Sequence, residues 1–296
     1  MSDKKKLNIL VTGGNGFIGT HLVKRLRGLG HEVNVADLIG RGYNLDICSP
    51  KLADLLIKLK PQIVYHLAAD NRVTGSVKSI LKSNVIGTFN VLEACKQAKI
   101  KQFIFTSSAA VYGESKRLPI KESWPTRPIS AYGLSKLTDE LYCHLFEKHF
   151  LATIFRFANV YGPGQNSTAE GGVVAIFARR ILDNQPVTVY GSGKQTRDFV
   201  FVGDVVDALT AALSRPQTAI LNIGSNQPTS IVRLVNLIEK LTKMPAKINY
   251  LPKRPVEIEK SLFSYEQAGI KLKWRPKTSI EEGLNATIGF NLAGAE

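Results

Sequence analysis

An apolar run that leads directly into a cluster of glycines constrains the fold of this chain more than any other feature. Residues 7–11 have the apolar character of a buried parallel strand, and TGGNGFIG follows at residues 12–19. Gly13 allows a tight turn, Gly16 leaves room for a ligand near the backbone, and Gly19 lets the next helix pack against the strand. The amide groups at the start of that helix would face an anion, so the pattern predicts a pyrophosphate site.

An acidic residue after the second predicted strand narrows the choice of ligand. Residues 33–36 are apolar and Asp37 ends the strand. A carboxylate at this position accepts hydrogen bonds from a ribose 2′-hydroxyl and repels a 2′-phosphate. We therefore predict a dinucleotide, and NAD in preference to NADP, although Arg41 would favour a 2′-phosphate. The alternative is an ordinary turn rich in Gly and Asn with no ligand.

Strand and helix patterns alternate along the first half of the chain, which predicts an α/β fold, a Rossmann-type doubly wound parallel sheet with helices on both faces. From Tyr161 the pattern changes to a long loop over residues 161–172 and shorter elements beyond it. We predict an NAD-binding domain at residues 1–161 plus about 196–224, and a smaller C-terminal substrate lobe at 162–195 and 225–296. The predicted elements are strands at 62–67, 101–107, 152–157 and 187–190, and helices at 21–29, 79–99, 131–150, 173–182, 204–213 and 231–241.

Charge and cysteine content limit the possible partners. The 296 residues carry a formal net charge of +15, which attracts polyanions, but lysines are scattered apart from residues 4–6. We expect a solvated basic surface and no nucleic-acid partner. The three cysteines are widely spaced and lack metal-ligand spacing, so no metal is expected and the compartment should be reducing. No apolar run approaches the length of about 18 residues that spans a bilayer, and no signal segment is evident, so we expect a cytoplasmic protein without membrane contact.

A tyrosine and a lysine four residues apart supply candidate chemistry. Tyr132 and Lys136 fall on one face of a predicted helix, so both side chains can point into one site. A nearby ammonium is expected to lower the pKa of the phenol from its usual value of about 10, which would make Tyr132 a base. Such a base could take a proton from a substrate hydroxyl while a nicotinamide takes the hydride. The alternative is a surface lysine beside a tyrosine of no special function.

A serine at the end of a predicted strand strengthens this interpretation. Residues 103–108 are apolar and then change to hydroxyl residues, ending with Ser108. Ligands of open parallel sheets lie at the carboxyl ends of the strands. Ser108 could therefore hydrogen-bond the reacting oxygen and stabilise charge as it develops. The alternative is a serine that only starts a turn.

Taken together, the motifs resemble those of the extended short-chain dehydrogenases/reductases, in the NAD-dependent nucleotide-sugar epimerase/dehydratase group, and most of all its UDP-glucose 4-epimerase-like branch. The resemblance covers essentially the whole chain. The matching segments are residues 12–19, 46–47, 66–69, 84–88, 107–113, 132–136, 159–163, 196–200 and 276–283.

The resemblance implies roles for individual residues. Ser108, Tyr132 and Lys136 would be catalytic, and His66 and Asn84 would be structural. Residues implied to bind NAD are Gly13, Gly16, Phe17, Ile18, Gly19, Asp37, Asp46, Ile47, Leu67, Ala68, Ala69, Tyr132 and Lys136. Those implied to bind a nucleotide-sugar substrate are Ser108, Asn159, Val174, Tyr190, Arg197, Arg254 and Ser261, although Tyr190 could be core and the two arginines surface charges. The helices at 79–99 and 131–150 resemble those that pair in the homodimers of this family.

Departures from the family pattern decide between reactions. The related 4,6-dehydratases have Asp-Glu directly after the catalytic hydroxyl residue, and the related decarboxylases have Glu where Ala110 stands; here the two positions are Ala109 and Ala110. This favours a nucleotide-sugar 4-epimerase acting through a transient 4-keto intermediate. The family's Arg-Pro-Gly-Asp appears as residues 254–257, RPVE, which puts the nucleotide contacts of that loop in question. At Ser261 some members have a tyrosine, so a UDP-N-acetylhexosamine could be accepted beside a UDP-hexose.

Two other functions stay open at this point. One is a nucleotide-4-ketosugar reductase or a 3,5-type epimerase of the same fold, which would need added NAD(P)H or a different acid/base pair. The other is a non-catalytic member that binds RNA or protein, which only the charge suggests.

Overall fold

The computed structural model describes residues 6–71, 76–168, 172–254 and 258–293. The chain divides into two compact units. The first contains residues 1–111, 126–156 and 208–221, and the second contains residues 112–125, 157–207 and 222–296.

The strands are β1 (Asn8–Thr12), β2 (Glu32–Asp37), β3 (Tyr43–Asn44), β4 (Ile63–His66), β5 (Gln102–Ser108), β6 (Leu151–Phe157), β7 (Asn159–Tyr161), β8 (Val187–Tyr190), β9 (Thr196–Phe201), β10 (Ala219–Ile223), β11 (Pro228–Ser230) and β12 (Ile248–Leu251). The α-helices are α1 (Phe17–Gly28), α2 (Lys51–Leu59), α3 (Val77–Ile80), α4 (Gly87–Gln97), α5 (Ala131–Phe146), α6 (Val173–Leu182), α7 (Val202–Ser214), α8 (Ile231–Thr242), α9 (Glu266–Leu272) and α10 (Ile280–Ala293). A π-helical segment, Leu81–Ile86, joins α3 to α4.

A seven-stranded sheet in the order β10-β6-β5-β4-β1-β2-β3 confirms the predicted doubly wound α/β fold. The pairings among β1 to β5 are parallel, as their apolar sequences indicate. The strand order reverses between β1 and β4, which is the position where open parallel sheets bind ligands. The first unit therefore has its topological switch point where the glycine-rich sequence after β1 predicts a ligand.

The core of the first unit lies between the sheet and its flanking helices. Apolar side chains from β1, β4 and β5 pack against α2, α4 and α5, and residues such as Leu10, Val64 and Phe103 are fully buried. This burial, at about 25 cal/mol per Å² of apolar surface, is the main force that holds the helices on the sheet.

Two predicted helices differ from the observed ones. The predicted helix at residues 79–99 is interrupted, because α3 and α4 are joined by the π-helical turn. The predicted helix at 131–150 ends at Phe146, since residues 147–150 form the turn into β6.

The second unit has two small sheets and a separate core. One sheet has the order β11-β9-β7 and the other pairs β12 with β8. Apolar residues of α6, α8 and α10 pack around Val187, Val189 and Phe199. This unit also contains residues 112–125, 157–161, 196–207 and 222–224, which the sequence assigned to the NAD-binding domain. Within it, β9 pairs with β7 and β11.

No helix within the described ranges is long and apolar enough to cross a bilayer.

The helix that follows the glycines gives a stability prediction with an internal control. A Cβ on Gly19 would lie 2.2 Å from the Gly13 carbonyl oxygen, whereas a Cβ on Gly28 of the same helix meets nothing within 4 Å. We expect Gly19→Ala to lower the free energy of unfolding by about 3 kcal/mol. Gly28→Ala should raise it by about 0.5 kcal/mol, because alanine favours the helix. Urea unfolding measures both; equal stability of the two variants would contradict this packing.

Candidate active site

The turn between β1 and α1 packs directly on the segment that follows β4. Gly13 has a φ of +68°, and a Cβ there would lie 2.6 Å from the Ala68 backbone nitrogen. Only glycine permits both this conformation and this close approach. Gly13 and the predicted cofactor residues Leu67 and Ala68 are thus brought together at the switch point of the sheet, and Ala69 follows them.

The start of α1 has the features of an anion site. Gly16 is the N-cap residue, and no side chain caps the helix. The first N–H groups of a helix, here those of Phe17, Ile18 and Gly19, have no partner within the helix. A Cβ on Gly16 would meet only the Gly13 carbonyl oxygen, at 3.3 Å, so the space above the turn is open. These residues fit the diphosphate of a dinucleotide.

Asp37 lies beside this turn and shapes it. Its carboxylate accepts hydrogen bonds from the Asn15 backbone nitrogen at 2.9 Å and from the Leu38 backbone nitrogen at 2.7 Å. Each oxygen keeps lone pairs for a ribose hydroxyl. The carboxylate is half-buried, which leaves it accessible to a ligand.

Asp46 and Ile47 follow β3 in the same unit. The Asp46 carboxylate accepts from the Cys48 backbone nitrogen at 2.8 Å and is exposed, whereas Ile47 is buried. A Cβ on Gly87 would lie 2.6 Å from Ile47 Cδ1, so the start of α4 packs tightly on Ile47.

Ser108 and Tyr132 meet at the end of β5. Ser130 caps α5 by accepting from the Gly133 nitrogen at 3.1 Å, which places Tyr132 in the first turn of the helix. A Cβ on Gly133 would lie 2.4 Å from the Ala110 carbonyl oxygen, so this glycine allows α5 to approach the residues after Ser108. The Ser108 hydroxyl lies close enough to the Tyr132 phenol to lower its pKa.

The pKa of Tyr132 corrects one expectation. The sequence predicts that Lys136 lowers it, but burial raises the pKa of Tyr132 to about 12. The nearby Ser108 hydroxyl lowers this pKa and the Asp139 charge raises it, and the effect of burial exceeds that of the serine. In the free chain the phenol therefore holds its proton near neutral pH.

Lys136, one helical turn after Tyr132, is only 2% exposed. Its Nζ donates to the Thr106 carbonyl oxygen at 3.0 Å and lies 4.7 Å from the centre of the Phe105 ring. Burial lowers its pKa, and the charges of Asp139 and Glu140 raise it. One of its three donors is used by Thr106, and two can serve a ligand or Tyr132.

A buried ion pair anchors α5 to the sheet. Arg156 on β6 holds the Glu140 carboxylate with two donors, Nε at 2.9 Å and Nη2 at 2.6 Å. The Ser107 hydroxyl donates to the same carboxylate at 2.5 Å. Glu140 lies one turn after Lys136 and Ser107 directly precedes Ser108. The cluster therefore sets the position of α5 relative to β5.

His66 and Asn84 have the structural contacts expected of them. His66 lies between Thr12 Oγ1 at 2.6 Å and Thr88 Oγ1 at 2.9 Å, and burial lowers its pKa to about 3, so it is neutral. Asn84 contacts both backbone groups of Asp70 and donates to Ser135 Oγ at 2.9 Å.

The predicted substrate residues lie in the second unit, apart from Ser108. The Arg254 guanidinium lies 3.8 Å from the centre of the Tyr190 ring, so these two residues are together. Ser261 is buried and its nitrogen donates to the Thr196 carbonyl oxygen at 3.1 Å, next to Arg197. Asn159 is exposed on β7 and pairs in register with Phe199 of β9.

The predicted substrate residues differ in their burial and in their contacts. Val174 is fully buried in the core formed with α8 and α10, and Tyr190 is half-buried at the end of β8. The Arg197 guanidinium donates to the Thr196 carbonyl oxygen at 2.9 Å. Pro255, Val256 and Glu257 lie outside the described residues.

Sequence reasoning missed several residues of the site. Thr106 acts through its backbone oxygen, which leaves no trace in the side-chain pattern. Asp139 and Glu140 stand three and four residues after Lys136, and this helical spacing was a signal that could have found them.

Comparison with known proteins agrees with this geometry. The sequence profile described as "NAD dependent epimerase/dehydratase family" matches residues 9–224. The UDP-glucose 4-epimerase of Thermotoga maritima, solved with UDP-glucose, is 36% identical, with a TM-score of 0.94 over 98% of this chain and 100% of that one.

Two further relatives show the range of the family. The UDP-glucose 4-epimerase of Thermus thermophilus, solved in complex with NAD, is 33% identical, with a TM-score of 0.90 over 97% of this chain and 99% of that one. UDP-glucuronic acid decarboxylase 1 of Xenopus tropicalis is 32% identical over 98% of this chain and 73% of its own. The strand order, the glycine turn and these similarities together show that the chain belongs to the NAD-dependent epimerase/dehydratase family of extended short-chain dehydrogenases/reductases.

Proposed function

We propose that this protein epimerises a UDP-sugar at C4 with NAD as its cofactor. The proposal rests on the proximity of the Ser108 and Tyr132 hydroxyls, with Lys136 one helical turn after Tyr132 and two alanines directly after the serine. This arrangement can move a proton at a sugar hydroxyl and offers no carboxylate at residues 109 and 110 for further chemistry.

Tyr132 takes the proton of the sugar 4-hydroxyl in this mechanism. Ser108 donates a hydrogen bond to the same sugar oxygen, which stabilises the charge that develops on it. Lys136 turns one of its remaining donors toward the phenolate and stabilises it. NAD, when bound, supplies the hydride acceptor and afterwards the hydride donor. The 4-keto sugar then presents its opposite face for reduction. Tyr132 returns the proton to the C4 oxygen, which completes the alcohol of inverted configuration.

The two alanines argue against elimination and decarboxylation. Loss of water or of CO₂ from the keto sugar requires a further acid or base near the sugar ring. In the related dehydratases and decarboxylases that group stands where Ala109 and Ala110 stand here. The methyl groups of these two residues can neither donate nor accept a proton. Re-reduction of the keto group is therefore the step that remains, and it restores an alcohol at C4.

The second unit supplies the groups that suit a nucleoside diphosphate. Arg197 and Arg254 carry planar guanidinium forks that bind phosphate oxygens in pairs. Tyr190 presents a half-buried ring, which suits stacking with a base. Asn159 offers an exposed amide for hydrogen bonds to the sugar nucleotide.

Ser261 bears on the size of the sugar. It is a small side chain at a position where some family members have tyrosine, and its neighbour Lys260 pairs with Thr196 at the edge of β9. We propose that N-acetylhexosamine nucleotides are accepted beside plain hexose nucleotides.

An apolar face on α4, α5 and the π-helical segment supports a homodimer. Large apolar side chains on this face are exposed: Leu81, Ile86, Phe89, Leu134, Leu141 and Leu145. Soluble monomers rarely expose contiguous apolar patches of this kind. Two such faces packed together would form a four-helix contact.

Product analysis tests the reaction itself. Purified protein, without added cofactor, is incubated in D₂O with UDP-, dTDP- and GDP-sugars, and the products are identified by NMR. We expect the C4 epimer of a UDP-sugar, without deuterium in the ring. Deuterium beside C4 would indicate a 3,5-type epimerase, and a requirement for stoichiometric NAD(P)H would indicate a reductase. Tyr132→Phe should lower kcat by at least about 10²-fold, whereas Tyr142→Phe on the same helix should not.

Substrate size is tested at Ser261. We expect Ser261→Tyr to lower kcat/KM for UDP-N-acetylglucosamine relative to UDP-glucose by at least about tenfold, because the larger ring fills the space of the acetamido group. Thermal unfolding checks that the variant folds. An unchanged ratio in a folded variant would refute the N-acetyl proposal.

The dimer is tested by sedimentation at micromolar concentration. We expect the wild type to sediment as a dimer and the double variant Leu141→Glu, Leu145→Glu as a monomer, because charges would be buried in the contact. Ile57→Glu on α2, also an exposed apolar side chain, is the matched control and should stay dimeric. A monomeric wild type would contradict the proposal.

A further inference from the structure

A buried carboxylate lies one helical turn from the catalytic lysine. Asp139 on α5 has no exposed surface, and Lys136 is 2% exposed. Within the part of the chain that the structure describes, neither carboxylate oxygen of Asp139 has a hydrogen bond of normal geometry. The Thr88 hydroxyl, which contacts His66 Nε2 at 2.9 Å, approaches the carboxylate and lowers its pKa. Burying a carboxylate with so few partners is costly unless an opposite charge lies close by.

Lys136 is a buried cation three residues before this carboxylate on the same helix. The pKa of each is shifted by the other: Lys136 lowers that of Asp139, and Asp139 raises that of Lys136. Burial acts the other way on both groups and raises the pKa of Asp139 to about 7. The two charges therefore depend on each other to exist inside the core.

The neighbouring carboxylate cannot replace Asp139 in this role. Glu140 is held by two donors of Arg156 and by the Ser107 hydroxyl, so its charge is already compensated. Arg156 is itself buried and stays charged. Lys136 is left with Asp139 as its partner on α5.

The other titratable groups around the pair are uncharged near neutral pH. Cys143, on the same helix face, has its pKa raised by burial, and Cys95 of α4 lies behind it with a raised pKa as well. His66 of β4 is neutral, and its pKa is lowered in part by Lys136. From β5, Lys136 meets only the Phe105 ring and the Thr106 carbonyl oxygen among the contacts described.

We propose that Asp139 is a positioning residue, a buried counter-ion that keeps Lys136 an ammonium ion at the active site. The assignment rests on the proposed function for its catalytic meaning. With Asp139 ionised, Lys136 stays protonated although it is desolvated, and so it can stabilise the Tyr132 phenolate and hold a ligand. Without that charge, burial would lower the pKa of Lys136 further, and the amine would lose its proton at a lower pH.

Asp139 also acts on Tyr132, the proposed base. Its negative charge raises the pKa of Tyr132. Removing the charge therefore lowers the pKa of both Tyr132 and Lys136. The rate requires an ionised tyrosine and a protonated lysine, so both limbs of the pH profile of kcat should move toward acid. A substitution that only loosened the packing would lower kcat without shifting either limb of its pH profile.

The experiment measures the pH profile and Lys136 directly. We expect Asp139→Asn to shift both limbs of the kcat profile on UDP-glucose to lower pH by about 1 unit or more, the shift expected from an opposite charge nearby. In the free protein labelled with [¹³Cε]lysine, the Lys136 resonance, identified by its loss in Lys136→Met, should titrate at lower pH in Asp139→Asn. Asp139→Glu should restore the wild-type profile.

Controls make each outcome decisive. Asp54→Asn removes an exposed carboxylate from α2 in the same unit and should leave the profile and the Lys136 titration unchanged. Asp139→Ala is a second variant, which avoids burying an amide and should shift both readouts in the same direction. An unshifted Lys136 titration in a folded variant, or the unfolding of both variants, overturns the proposal. A shifted Lys136 titration with a wild type inactive on every sugar would instead overturn the proposed function.

Discussion

The arrangement of the active site depends on one buried ion pair, that of Glu140 with Arg156. The guanidinium fork binds the carboxylate through two donors, and Ser107 adds a third. Removing one partner of such a pair costs about 3–5 kcal/mol, because a charge is left uncompensated in the core. The pair joins α5 to β5 and β6 at the level of the proposed catalytic residues. Ser108 and Tyr132 come from different elements, and this contact brings them into register.

The electrostatics of the site follow from the Glu140–Arg156 ion pair. Because Arg156 compensates Glu140, we assign Asp139 to Lys136 as its counter-ion. The free chain holds Tyr132 protonated, with a pKa of about 12. In the proposed mechanism the phenol becomes a base only after the cofactor and the substrate have bound. A site of this kind suits a cofactor that is reduced and reoxidised within one turnover.

The sequence predicts those parts of the fold that depend on local pattern, and fails where tertiary contacts decide. The glycine turn is predictable because Gly13 must adopt a positive φ against Ala68. The interruption of the helix at Asn84 is not, since it accompanies side-chain bonds to Asp70 and Ser135 that are distant in sequence. The strand β9 was missed because its first half is polar.

The candidate site likewise has features that the sequence predicts and features that it does not. Ser108, Tyr132 and Lys136 follow from spacing, whereas the raised pKa of Tyr132 and the role of Asp139 depend on burial, which the sequence does not display. In the proposed reaction the hydride leaves C4 of the sugar and returns to C4. A UDP-sugar deuterated at C4 tests this step, since the 4-epimer should keep its deuterium at C4 in ordinary water. Loss of that deuterium to the solvent would contradict it.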